Sequence, residues 1–461
     1  MPHTPKYHAF RQVDPMPKTK ILILSITSFA DLKNGGGLWS ANLLETMAQV
    51  PDTEFVIVSA GHESARTSND AFVNSLGLKH AFIPFKPSFT GGEATVRARI
   101  TNLTISAINI VLEKYFFPWE REARRQSHVD AAFMQVVAGE QPDIIVINYL
   151  FSALFAPTMF SLAIPRCLIT LNNETAFHKS LKLHGGPAGV QPARRIARWV
   201  YRHFNWIPNR RIEHYENAIS SNCAGIVALT QSDLPRNMIG KAALAVLPPI
   251  FKPSTARWSY HANRHIFFVG NIGYYPNRLA IEWICSKFVP ELSALDDRFR
   301  LIIIGAEESQ VPSHWRSMRI QFMGYSTKAE VIHQMTTANL FIAPIANDFG
   351  AKIKLAECVS FGMPFLATRT AMSGLGFMKS VPEIHLNDPS TAARLTLRYI
   401  NEPSALIELS NSNTAQLNTA REEQTASWRT FYEDVLARSE NRPTSQKPNY
   451  YDREDNQSTS G

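Results

Sequence analysis

Two lysines, a carboxylate and a glycine crowd into one short stretch of this chain. Gly350, Lys352, Lys354 and Glu357 lie directly after the apolar run 340–345, and the short helical pattern that carries them stops at Gly362 and Pro364. A strand, a glycine turn and a helix start together make an anion site. The amides of a first helical turn have no partner inside the helix, and two ammonium groups here add full charge beside them. Glu357 follows Lys354 by three residues, so the two share a helix face, where a carboxylate can accept hydrogen bonds from sugar hydroxyls. The chemistry expected at this stretch is the binding of a phosphate-bearing ligand.

Polar residues gather at two other strand ends. Asn172, Asn173 and Glu174 follow the apolar run 167–171, with Phe177 and His178 just beyond. The carboxyl ends of parallel strands are where open α/β sheets place their ligands. Gly35, Gly36 and Gly37 lie between the apolar run 20–25 and a helical pattern over 38–47. Three glycines in a row either let backbone approach a ligand closely or form a plain flexible turn. They fit neither the dinucleotide fingerprint nor a Walker motif. Cys167, Cys223, Cys285 and Cys358 are far apart among apolar neighbours, which offers no metal-ligand spacing and reads as four buried thiols.

These residues need elements to hold them. Continuous apolar runs at 20–25, 55–59, 144–149, 167–171 and 225–229 read as strands buried on both faces. Thr230 to Asp233 reads as the cap of a following helix. A proline-punctuated segment at 247–257 precedes a second series of strands at 265–269, 301–305, 320–324, 340–343 and 365–367, with helical patterns at 278–288 and 331–338. Strand and helix alternate, so the fold class is α/β, and 461 residues favour two domains. The spans expected are a flexible leader at 1–18, a first domain at 19–250, a second at 251–425, a closing helix at 426–439 and a disordered polar tail at 440–461.

Composition excludes several classes. With 45% hydrophobic and 19% charged residues the chain is globular rather than disordered or fibrous. No apolar run approaches the roughly 20 residues of a membrane span, and the N-terminal segment lacks the apolar core of a secretory signal. The cytoplasm is the default expectation. A net charge of +8 suits nucleic acid, an anionic membrane surface or an acidic small ligand. No zinc-finger, RRM-like or KH-like signature accompanies it, so nucleic acid is the weakest of the three. Arg194, Arg198 and Arg202 recur among Trp199, Tyr201, Phe204 and Trp206. That block is either a face for anionic lipid at the inner side of a membrane or a solvated arginine face with its aromatics inward.

Taken in order, the second half resembles a known family. Phe268-Val-Gly-Asn-Ile-Gly-Tyr-Tyr-Pro-Asn277, Leu301-Ile-Ile-Ile-Gly305, Phe322-Met-Gly-Tyr325, Ala338-Asn-Leu-Phe-Ile-Ala-Pro344, Gly350-Ala-Lys-Ile-Lys-Leu-Ala-Glu357 and Gly362-Met-Pro-Phe-Leu-Ala-Thr368 come in fixed succession. They are similar to the C-terminal domain of GT-B glycosyltransferases of the group 1 (GT4-like) family over 262–378. A weaker likeness covers 20–60 and 165–235.

The resemblance implies GT-B architecture, two Rossmann-like domains facing each other across a cleft, with the last helix crossing back to the first domain. It implies a nucleotide-diphosphate sugar held mainly by the second domain and a saccharide or lipid-linked acceptor held mainly by the first. The activity implied is hexosyl transfer with retention, in surface or extracellular glycan synthesis, without a tightly bound cofactor and commonly without a metal. Lys352, Lys354, Glu357 and His178 are then the catalytic candidates, the lysines and nearby amides meeting the charge of the departing diphosphate. The substrate-binding candidates are Gly36, Gly37, Asn172, Asn173, Glu174, Gly270, Asn271, Gly273, Asn277, Arg278, Gly324, Tyr325, Gly350 and Ala351.

The pattern departs from the family in three places. Phe349 stands where the first of two glutamates is common, Glu357 matching the second. Asn271 stands where arginine is frequent, with Arg278 near the position of an expected lysine. Where the family often has a histidine, the chain reads Leu171 to Glu174, with His178 a few residues on. Two other readings keep the fold: a catalytically degenerate binding module, which these departures motivate, and a sugar-nucleotide epimerase.

Overall fold

The computed structural model describes residues 18–26, 29, 35–86, 118–183 and 206–440. The expected leader and tail fall outside these residues, apart from Lys18 and Glu440.

Two all-parallel sheets account for the strands. The first holds β1 (Thr19–Ser25), β2 (Thr53–Gly61), β3 (Lys79–Pro84), β4 (Ile144–Asn148), β5 (Arg166–Thr170), β6 (Gly225–Ala228) and β7 (Ala243–Val246), in the spatial order β3-β2-β1-β4-β5-β6-β7. The second holds β8 (His265–Val269), β9 (Arg300–Ile304), β10 (Ile320–Phe322), β11 (Leu340–Ala343) and β12 (Phe365–Ala367), in the order β10-β9-β8-β11-β12. These are the two Rossmann-like domains that the strand pattern and the family resemblance imply. Each strand order reverses once, between β1 and β4 and between β8 and β11, and such switch points open a crevice at the carboxyl ends of the strands.

The apolar runs form strands because both faces of each sheet are covered. Ile21 and Ile23 of β1 point into one core with Trp39, Leu43 and Ile57, while Leu22 and Leu24 point into another with Phe133, Phe155 and Phe160. Alternation along one strand thus feeds two cores, which leaves no polar face in the sequence. The edge strands β3 and β7 are half-exposed.

Helices flank the sheets. In the first domain they are α1 (Gly35–Met47), α2 (Arg66–Ser75), α3 (Pro118–Arg125), α4 (His128–Glu140), α5 (Glu174–Leu183) and α6 (Trp206–Ser221). After the proline-punctuated segment at 247–257 come α7 (Tyr275–Trp283), α8 (Val289–Leu295), α9 (Lys328–Thr337), α10 (Ile353–Ser360), α11 (Pro389–Asn401) and α12 (Pro403–Ser439). Three expectations are corrected. The glycines Gly35 to Gly37 are the first turn of α1, not a loop before it. Thr230 caps no α-helix: Gln231–Asp233 is a single 3₁₀ turn. Helix α7 begins at Tyr275, because Pro276 in its first turn presets a helical backbone angle where no amide partner is needed.

Helix α12 is continuous over 37 residues. Leu406, Leu417 and Ala420 lie in the core of the second sheet, and Trp428, Phe431, Tyr432 and Val435 lie in a core of the first. The helix therefore crosses from one domain to the other. It approaches β6 so closely that a Cβ on Gly225 would lie 2.7 Å from Phe431 Cζ and 2.5 Å from Val435 Cγ2. Glycine ordinarily weakens a strand; here it makes room for the helix. Gly225→Ala is expected to cost about 1–3 kcal/mol by overpacking. Val435→Ala should relieve part of that cost in the double variant, as read by urea denaturation.

All four cysteines are buried free thiols. Among the described residues no helix is long and apolar enough to cross a membrane, and no cluster of three His, Cys, Asp or Glu side chains is placed to hold a metal ion.

Candidate functional site

The carboxyl ends of the two sheets meet at a cleft. On the first domain, Asn148 at the end of β4 donates through Nδ2 to Ser25 Oγ of β1 at 3.1 Å and to Ser40 Oγ of α1 at 3.3 Å. The next residue, Tyr149, has φ 76°, a left-handed angle rare for a bulky side chain and a mark of a constrained site. The end of β5 continues into Asn172, Asn173 and Glu174, and the end of β6 into Thr230 and Asp233. Across the cleft, a Cβ on Gly350 would run into Asn172 Oδ1, and one on Gly35 would sit 3.6 Å from Ile353 Cγ1. Gly350 has φ +67°, so only glycine fits both the angle and the gap.

On the second domain the loop after β8 is organised by Asn271. Its Oδ1 accepts from Gly273 N at 2.7 Å and from Tyr325 Oη at 2.9 Å, and its carbonyl accepts from Asn277 Nδ2 at 3.1 Å. Gly270, Gly305 and Gly324 allow three strand ends to converge: a Cβ on Gly305 would lie 2.5 Å from Gly270 O, and Gly305 N donates to Gly324 O at 2.6 Å. Arg278, in the first turn of α7, lies over the Tyr275 ring at 5.3 Å and pairs with no carboxylate among the described residues. The structure thus groups Gly270, Asn271, Gly273, Asn277, Arg278, Gly324 and Tyr325, with a guanidinium beside them.

The loop after β11 and the start of α10 carry the two lysines, and they are differently engaged. Lys352 precedes α10 and folds back: its Nζ donates to Phe349 O at 2.8 Å and Gly350 O at 2.6 Å. Burial pushes its pKa down to about 8, against the pull of Asp233 and Asp348. Lys354 Nζ pairs with Glu357 Oε2 at 2.8 Å across one turn of α10, and Glu357 is buried. Phe349 packs edge-on against Phe177 of α5 at 6.0 Å, and Phe177 stacks on Tyr274 at 6.0 Å. An aromatic bridge between domains stands where a carboxylate is common in the family.

Three acids of the first domain converge near this loop. Glu216 of α6 accepts from Glu174 N at 3.0 Å, Thr175 N at 3.3 Å and Thr175 Oγ1 at 2.5 Å. Asp233 accepts from Asn173 N at 2.8 Å and Thr230 Oγ1 at 2.6 Å. Glu174 is fully enclosed, and burial pushes its pKa up to about 8, opposed by a 3.3 Å hydrogen bond from Asn172 Nδ2 and reinforced by Glu216 and Asp233. Between its ordinary 4.5 and about 8 the folded chain holds a proton that the unfolded chain has lost. That contribution to stability is complete at low pH and is lost as pH rises through this window. Glu174→Gln, which mimics the protonated acid, is expected to show a smaller fall in Tm between pH 5 and pH 8 than the parent chain.

Asp233, Glu216, Thr175, Tyr149 and Tyr274 belong to the site without having been picked out as ligand residues in the sequence. The nearest signal in the sequence is Thr230 to Asp233, whose composition is that of a helix cap. Gly36 and Gly37 open α1, whose N-terminus faces α10. His178 lies on α5, but its side chain is outside the described residues, as is the arginine block Arg194 to Arg202. An open groove of 1710 Å³ flanks the β11 loop, lined among others by Thr230, Ser232, Arg236, Asp348, Phe349 and Thr370.

Residues 263–389, the bulk of the second domain, match the family model described as glycosyl transferases group 1. Among solved structures, sucrose-phosphate synthase from Thermosynechococcus elongatus superposes with a TM-score of 0.58 at 11% identity, covering 91% of this chain and 100% of that one. TarM does so with 0.59 at 10% identity, covering 91% and 100%. The α,α-trehalose 6-phosphate synthase of Burkholderia multivorans gives 0.52 at 12% identity, covering 91% and 98%. Identities this low speak to the fold alone, and that fold is GT-B. No curated protein matches the chain by sequence.

Proposed function

We propose, from the match of the second domain to group 1 glycosyl transferases, that this chain transfers a hexosyl unit from a nucleotide-diphosphate sugar to a saccharide or lipid-linked acceptor. The transfer is of the retaining, GT4-like kind, serves surface or extracellular glycan synthesis, and takes place on the cytoplasmic side without a tightly bound cofactor. The donor lies on the loops at Gly270 to Arg278, Gly324 to Tyr325 and Gly350 to Glu357; the acceptor lies against Asn172 to Glu174 and the glycine start of α1. What carries the reading is that the loops and helix starts holding Arg278, Lys352 and Lys354 lie at the carboxyl ends of the second sheet, facing the polar strand ends of the first. A departing diphosphate needs fixed positive charge, and Arg278, Lys352 and Lys354 stand around these strand ends.

A thermal-shift screen against UDP-, GDP- and dTDP-sugars tests the donor half, since a ligand at 100 times its Kd adds about 2.7 kcal/mol to the folded state. One nucleotide-sugar is expected to raise Tm and to release its nucleotide when a saccharide acceptor is added. Binding with no release would point to the non-catalytic module. An altered nucleotide-sugar formed without acceptor would point to the epimerase. The peripheral membrane contact is tested separately by sedimentation with anionic liposomes, which should weaken as salt rises.

A further inference from the structure

The β11 loop is held from both sides of the cleft. Gly350 N donates to both oxygens of Asp233, at 3.1 Å and 3.0 Å, although the two residues belong to different domains. Asp233 is itself fixed within the first domain by Asn173 N at 2.8 Å and Thr230 Oγ1 at 2.6 Å, and it is buried. Next to it, Ser232 Oγ donates to Asp348 O at 2.9 Å across the cleft, while Ser373 Oγ donates to the same carbonyl at 2.6 Å from within the second domain. The fit leaves no slack: a Cβ on Gly374 would lie 3.2 Å from Leu229 O, and one on Gly350 would strike Asn172. The amide that the sequence offers to a phosphate is thus occupied by a protein carboxylate.

We infer that Asp233 is a positioning residue: by gripping the Gly350 amide it sets the β11 loop against the first domain, so that donor and acceptor halves of the site come into register. This rests on the glycosyltransferase reading, and its part in the reaction is indirect, through the loop. The grip is made by hydrogen bonds. Asn173 N and Gly350 N can only donate, whereas the Thr230 hydroxyl can turn to accept, so an asparagine at this position keeps Oδ1 on both amides, gives up the second contact to Gly350 N, and offers its NH₂ to Thr230. Charge is the dispensable part, geometry the required one.

The test uses the full chain in two arms. In the first, hydrogen–deuterium exchange of the ligand-free protein is followed in the peptide covering 347–352. The parent chain should protect Gly350; Asp233→Ala should raise exchange there and leave β6 unchanged, and Asp233→Asn should stay close to the parent. Rapid exchange of Gly350 in the parent chain overturns the inference, and this measurement stands even where a variant fails to fold. In the second arm, with the donor that the parent chain turns over, Asp233→Ala should lower kcat about 100-fold, the cost of a misplaced reacting group. Its donor KM should change little, and Asp233→Asn should restore most of the rate. Equal losses in both variants, or an unchanged kcat in Asp233→Ala, overturn it. A parent chain that turns over no donor refutes the functional reading instead, and the exchange arm still decides the grip.

Discussion

Lys354→Ala is expected to lower kcat/KM for sugar transfer about 100-fold, and Glu357→Ala by a similar factor, the typical cost of removing one fixed electrostatic contact from a reacting site. The two side chains form an ion pair at 2.8 Å on one face of α10, with Glu357 buried and Lys354 partly exposed. Such a pair has a purely structural explanation, and a double variant separates the two. Removing Lys354 alone leaves a buried carboxylate without its partner, which is costly; removing both leaves no orphaned charge. The double variant should therefore regain much of the stability lost in Lys354→Ala, as read from Tm. It should not regain turnover, because the cation proposed to meet the diphosphate is still missing. Recovery of both would assign the pair to the helix and not to the reaction.

How far this site is legible in the sequence depends on the range of the interaction. The strand ends are legible because strands buried on both faces leave continuous apolar runs, and the polar residues that follow them are short-range neighbours. Lys354 and Glu357 are legible as a pair for the same reason, being three residues apart on a helix. The edge strands β3 and β7 are not, although Ala242 to Leu247 is apolar throughout, because so short a run does not by itself distinguish a strand from a buried helical turn. Asp233 is hidden in a different way. Its local context, Thr230 to Asp233, has the composition of a helix cap, and only the docking of the other domain places Gly350 over its carboxylate. Phe349 is visible as a departure from a family pattern, but its partner Phe177 stands in another domain and no local periodicity connects them. The role of Gly225 is likewise invisible until α12 is seen lying across β6.

Trp428→Ala is expected to destabilise the first domain by about 3–5 kcal/mol, the range for emptying a large aromatic site in a packed core. Trp428 is 1% exposed and packs with Phe431 and Tyr432, ring centroids 6.2 and 5.8 Å away, among the residues that cover one face of the first sheet. These residues come from the end of a helix whose earlier part, with Leu406 and Leu417, is embedded in the second domain. One continuous helix therefore contributes to two cores, and loss of its last turns should not be felt equally by both. In scanning calorimetry Trp428→Ala should bring the melting of the first domain down and away from that of the second. Leu417→Ala, a buried deletion earlier in the helix that costs about 2–5 kcal/mol, should lower the second domain instead. If either variant shifts both transitions together, α12 couples the domains into one cooperative unit, and the cleft opens only when the whole chain unfolds. If the transitions part as expected, the helix is a strap between two independently packed bodies. The short contacts at Asp233 and Gly350 then have the task of holding the cleft shut.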